Sequence, residues 1–350
     1  MKSIIFILLT ALVLNTGHSF PQSQPGSSVN ADSIKAAEQA YKMINTPEPK
    51  FGSDNTQTTD IKFPQIYKYE PNKFLMRDGK YLFAQKFAKE TNTTIILLHG
   101  VLSSSLEMNR TSGLLQKDAN AEVYAIDLRG HGRSDGTPGD VDYIGQYTDD
   151  LADVVKSIKK EEPGNKIILA GHSMGGGIIL RYAMRKDVPP VEGYLLFAPL
   201  LGQNTPTVPK PGTAQNNSDE FMKIDISRII GLKIYNSIGV HKYDNLPVLF
   251  FNLPEGAAIK TYSYRSDQSM APDDYRKGLE AVNKPLLVIV GSNDEAFVAS
   301  EFKPAVTGYS NGKVIIIKGA THDSIIYNKK AMKFVEEWMK KYKLTGGIKR

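Results

Sequence analysis

Residues 171–175 read Gly-His-Ser-Met-Gly, a serine with glycine two positions to either side. A serine hydroxyl is a weak nucleophile until it is held clear of the backbone beside a base. The G-x-S-x-G spacing supplies the first condition. A sharp strand-to-helix turn strains the serine and leaves no room for side chains at the flanking positions, a demand that Gly171 and Gly175 meet. The preceding KIILA reads as a strand and the following GGIILRYAM as a helix, so the pentapeptide lies in the context its chemistry requires. A helix opening at Met174 would aim its free N–H groups and positive end at an oxyanion forming on the substrate.

A base and an acid must join that serine. Of six histidines, His18 falls in an N-terminal apolar segment, His99 and His131 end earlier strands, and His241 lies where strand–helix rhythm is absent. His172 adjoins the serine with its side chain expected to point elsewhere. His322, in Gly-Ala-Thr-His-Asp directly after the last predicted strand, is left as the general base. Asp294, in Gly-Ser-Asn-Asp-Glu after the strand PLLVIV, is the acid expected to orient the imidazole and stabilise its cation. Glu295 and Asp323 are its rivals. The order serine, acid, histidine is the one this architecture uses. The backbone N–H of Val101, after His99-Gly100, is the expected second oxyanion donor beside that of Met174. The serines at 103–105 also read as an N-cap for a helix from Leu106. The turn DLRGHGRSDG at 127–136 lacks G-x-G-x-x-G and a P-loop lysine, and is assigned a structural role.

Those residues need a scaffold that brings distant strand ends together. Runs at 94–98, 122–126, 166–170, 193–197, 285–290 and 313–317 are short, apolar and β-branched, as strands covered on both faces are. Helical spacing recurs at 106–117, 144–160, 176–185 and 329–343. The alternation predicts an α/β class fold, a doubly wound and mostly parallel sheet, with 67–69 and 81–86 as an antiparallel lead-in. Residues 203–284 lack the βα rhythm and read as an inserted cap. The core is therefore expected over 62–202 and 285–350.

The chain has 350 residues, 41% hydrophobic and 23% charged, with net charge +6. This is a globular composition, and the two signs of charge are interspersed, so no nucleic-acid partner is expected. Absence of cysteine excludes a disulfide framework, a thiol nucleophile and thiolate metal ligation. Lys2, the apolar run 4–14, and Gly17 and Ser19 form a secretory leader pattern over 1–19, too short to span a bilayer. A periplasmic or extracellular protein is expected. Residues 20–61 form a polar extension. Helical spacing at 31–44 reads either as an amphipathic helix docked on the body or as part of a loose tether.

Taken together, His99-Gly100, DLRGHGRSDG, GHSMGG, GSNDE and GATHD resemble the α/β-hydrolase superfamily, within it the S33 serine aminopeptidase and monoacylglycerol lipase-like (lysophospholipase-like) branch. The resemblance covers about 94–343 and weakens in the insertion. It implies an inserted cap and catalysis without metal or organic cofactor. Acyl transfer to Ser173 on a small-molecule ester of monoacylglycerol or lysophospholipid type is expected first, with peripheral contact to lipid surfaces. Aminopeptidase activity, using the cap carboxylates Asp219, Glu220 and Asp225, is the alternative, and a non-catalytic binding protein the third. Cap stretches 229–234 and 248–251 either line an acyl pocket or pack the cap onto the sheet, and Tyr262, Tyr264, Arg265 and Tyr275 could add substrate contacts.

Overall fold

The structure, a computed structural model, describes residues 31–52, 67–209 and 221–347. The expected leader 1–19, most of the extension, and Asp219 and Glu220 lie outside the described residues. An eight-stranded sheet forms the centre, in the order β1-β2-β4-β3-β5-β6-β10-β11. Strands β3 (Thr93–Leu98), β4 (Glu122–Ile126), β5 (Lys166–His172), β6 (Gly193–Phe197), β10 (Leu286–Gly291) and β11 (Lys313–Ile317) run parallel. Every residue of β3, β4, β6 and β10 is buried, which is why these strands read as continuous apolar runs rather than alternating ones.

The antiparallel lead-in pairs β1 (Glu70–Leu75) with β2 (Tyr81–Phe87). Its first strand lies after the predicted 67–69. The sequence EPNKFL is a poor strand former, but it occupies the sheet edge, where Pro71 costs no ladder bond from a second neighbour. Helices α2 (Asn109–Asp118) and α9 (Lys329–Lys341) pack together on one face. On the other lie α3 (Gln146–Glu161) and α4 (Met174–Ala183). A further helix, α8 (Ala299–Tyr309), carries Pro304 inside it and was not predicted.

Between β6 and β10 the insertion builds its own sheet, β7 (Met222–Ile224), β8 (Pro247–Phe251) and β9 (Thr261–Ser263), with helix α5 (Ile226–Ser237) and the short helices α6 (Tyr264–Ser269) and α7 (Tyr275–Glu280). Helix α1 (Ala31–Ile44) docks along α5, so of the two readings of 31–44 the docked one holds. Ala40 and Ile44 are buried in that contact while Ile34 and Tyr41 face outward. Gly231 makes the approach possible. A Cβ there would stand 2.8 Å from Met43 Cβ and 2.9 Å from the Ala40 carbonyl oxygen. Lys223 Nζ donates to the Lys50 carbonyl and fastens the end of the strap.

Candidate active site

The candidate nucleophile stands where β5 ends at His172 and α4 begins at Met174. Ser173 has φ 52° and ψ −117°, a conformation that costs a non-glycine residue about 1–3 kcal/mol and persists only when its surroundings impose it. They do. Ser173 N donates to Phe197 O, and Ser173 O accepts from Leu200 N, Gly176 N and Gly177 N. A Cβ on Gly171 would lie 2.5 Å from the Gly175 carbonyl carbon, and one on Gly175 only 2.6 Å from Leu98 O. Both glycines are therefore steric requirements of the turn, as expected.

The end of β3 lies against this turn. A Cβ on Gly100 would be 3.2 Å from Ser173 Cβ and 3.7 Å from Oγ. Among the described residues, neither Val101 N–H nor Met174 N–H donates to a protein acceptor. Met174 directly follows Ser173, and Val101 directly follows Gly100 in the chain. The serines at 103–105 do not cap the next helix. Ser104 and Glu107 bond each other, and α2 begins only at Asn109.

On the far side of β5, the loops after β10 and β11 meet. His322 Nδ1 lies 3.0 and 3.1 Å from the two oxygens of Asp294, whose side chain is wholly buried. Asp294 also accepts from Ala296 N and Phe297 N, which fixes the carboxylate. The tautomer follows: Nδ1–H donates to Asp294, and Nε2 keeps the lone pair that a serine proton needs. Glu295, the rival, instead accepts from the backbone N–H of His322 at 3.0 Å. Asp323, whose carboxyl is pushed up by burial, has no hydrogen bond to the imidazole.

His172 does not point away, as its sequence position suggested. Its ring packs 4.6 Å from that of His322, and its Nε2–H donates to His322 O at 3.0 Å. Burial, with His322 beside it, pushes its pKa down to about 3. His172 is thus a neutral donor that ties the base-bearing loop to the nucleophile's own strand. Phe297 closes the other side of His322, edge-on at 5.2 Å. In this structure Ser173 Oγ and His322 share no hydrogen bond. Such contacts commonly tighten only when substrate is bound. His172, His322 and Asp323 could bring ligand atoms within 4.8 Å of one another.

Neighbouring residues hold these loops. His99 Nδ1–H donates to Gly100 O, and its Nε2 accepts from Leu128 N. Burial pushes its pKa down to about 4. Arg129, 1% exposed, pairs with both oxygens of Asp150 and with Asp78, so the 127–136 turn is structural as read. The cap residues do not behave as expected. Tyr262 is wholly buried and bonded to Leu102 N and His131. Tyr264 is also buried, Arg265 is paired with Asp140, and Tyr275 stacks edge-on with Tyr309. Leu232 and the stretch 248–251 are buried in packing, as in the second of the two readings given for them. Asp225 caps α5 through Arg228 N. No helix among the described residues is long and apolar enough to cross a membrane.

Comparison with known proteins finds hydrolases among the relatives. The pattern of the family described as "Serine aminopeptidase, S33" matches residues 89–230. A monoglyceride lipase homolog of Monkeypox virus is 27% identical over 232 residues, 62% of this chain and 78% of that protein. Human monoglyceride lipase is 32% identical over 152 residues, 42% of this chain and 49% of that enzyme. The solved structure of a Paleococcus ferrophilus monoacylglycerol lipase shares the fold, with TM-score 0.51 and 21% identity over 75% of this chain and 99% of that one.

Proposed function

Because the chain belongs to the α/β-hydrolase superfamily, in the branch of the S33 aminopeptidases and monoglyceride lipases, we propose that it hydrolyses carboxylic esters through an acyl-enzyme on Ser173. The observation that carries this reading is the bond from His322 to the buried Asp294 side chain, with the His322 ring packed on His172, the residue just before the strained Ser173. Ser173 Oγ attacks the carbonyl carbon while its proton passes to His322 Nε2. The carbonyl electron pair moves to oxygen, where Val101 N–H and Met174 N–H hold it. As the C–O bond to the alcohol breaks, His322 returns the proton to the departing oxygen. Water then repeats the sequence, with His322 as base, and the carboxylic acid leaves.

For the substrate class we propose monoacylglycerols or lysophospholipids, supported by the monoglyceride lipases among the relatives. Aminopeptidase activity is the second reading, favoured by the description of the matching family. Against it, Asp225 is occupied as a helix cap. Turnover of p-nitrophenyl esters of graded chain length, monoacylglycerols, lysophospholipids and proline-β-naphthylamide separates the readings. We expect ester turnover that is lost in Ser173→Ala. Turnover of the naphthylamide alone would favour the peptidase. Absence of turnover on every substrate would favour a binding protein.

We extend the proposal to export, on the leader pattern in 1–19. Amino-terminal sequencing of the mature protein should begin at Phe20, and retention of Met1 would contradict it.

A further inference from the structure

The cap reaches the loop that follows β3 at a buried point. Tyr262, on the short cap strand β9, places its hydroxyl 2.7 Å from Leu102 N and 2.9 Å from His131 Nε2. The protons in this chain can be assigned. His131 Nδ1 lies 2.9 Å from Arg129 O, and a carbonyl can only accept, so Nδ1 carries the hydrogen. Burial and the adjacent His99 push the His131 pKa down to about 3, so Nε2 is a bare acceptor. Burial also raises the Tyr262 phenol well above its ordinary range, which keeps its hydrogen in place. Tyr262 O–H therefore donates to His131, and its oxygen accepts from Leu102 N–H.

Leu102 is no ordinary loop residue. Its φ is 58°, the left-handed region that a leucine adopts only when something holds it there. It directly follows Val101, whose N–H donates to no protein acceptor among the described residues. The other end of the chain is rigid. Ser263 N donates to Gly139 O, Arg265 pairs with Asp140, and the Tyr262 ring stacks on His131 at 5.6 Å and meets Phe251 edge-on at 5.8 Å.

We infer that Tyr262 is a positioning residue for the oxyanion hole. By accepting the Leu102 N–H it pins the left-handed turn that points Val101 N–H at the substrate carbonyl oxygen. This rests on the esterase reading and deepens it, because completing the oxyanion hole then requires a residue of the cap. It also excludes Leu102 N–H as an oxyanion donor, since that group is already spent on Tyr262.

Tyr262→Phe removes one oxygen and keeps the ring. For the variant we expect kcat on a p-nitrophenyl ester to fall about tenfold or more, with KM within about twofold, because loss or misaim of an oxyanion donor acts on the transition state rather than on ground-state binding. Affinity for an alkylboronic acid, which forms a tetrahedral adduct on the serine, should fall by a similar factor. Unchanged kcat, or a rise in KM alone, would overturn the inference. A readout that needs neither turnover nor a variant is amide hydrogen exchange in the wild-type chain. There Leu102 should exchange markedly more slowly than Val101, and Tyr262→Phe should remove the difference. Equal exchange of the two amides in the wild type would refute the bond itself. Protected Leu102 in a wild-type chain that turns over no ester would leave the bond standing, but would overturn both its catalytic purpose and the esterase reading.

Discussion

Asp294 and Glu295 are adjacent carboxylates that both contact His322, and they do different work. Asp294 holds the ring, while Glu295 holds only the main-chain N–H. Replacing Asp294 by Asn leaves a side chain of the same shape that no longer favours the Nδ1–H tautomer or the imidazolium. We predict a loss of about 10³–10⁴-fold in kcat/KM for Asp294→Asn. Glu295→Gln removes one charge-assisted bond to backbone and should cost about tenfold or less. Steady-state ester hydrolysis by both variants checks the assignment, and a reversed ranking would exchange their roles. Ser173, Asp294 and His322 could be picked out of the sequence as candidates because each sits on a short motif at a strand end. The second role of His172 was not, because its partner is a carbonyl 150 positions away. Nothing local marks such a contact. Tyr262, read only as a possible substrate contact, hid its bond for the same reason, at 160 positions from Leu102.

At the scale of elements, the buried parallel strands could be read with near-correct bounds, since a short apolar run closed off by turn residues is what a strand covered on both faces demands. The cap could not. Strands β7 and β9 have three residues each, too short to show a period, and α8 was hidden by Pro304 near its middle. The docking of α1 depended on what α5 offers it, a glycine at the crossing point. A bulky residue at position 231 should force the two helices apart. Gly231→Leu is predicted to lower stability by about 1–3 kcal/mol and to open residues 31–52 to limited proteolysis. An unchanged melting temperature and an unchanged cleavage pattern would mean that the strap is not held at this point.

For the whole molecule, three buried histidines set the response to acid. His99, His131 and His172 are pushed down to about 4, 3 and 3, all below the ordinary value near 6.5. Between those limits the unfolded chain binds protons that the folded chain refuses, so stability is full above pH 6.5 and is lost as the pH falls. Asp150 and Asp267, pushed up to about 6 by burial, and Asp323, also raised by burial, act in the opposite sense and recover part of the loss. Because the histidine loss begins near pH 6.5, before the raised carboxyls take up protons, we predict a melting temperature that declines from pH 7 to pH 4.5. A flat or rising profile across that interval would contradict the neutral, buried state assigned to these rings. It would also remove the basis for their hydrogen-bond directions.

The central claim, that Ser173 is made nucleophilic by its surroundings, is a proposal. The most direct test is stoichiometric labelling with a fluorophosphonate, followed by peptide mapping of the adduct. The account predicts one adduct, on the peptide containing Ser173, absent in Ser173→Ala and strongly slowed in His322→Ala. A folded wild-type chain that takes no label, or takes it on another residue, would contradict it.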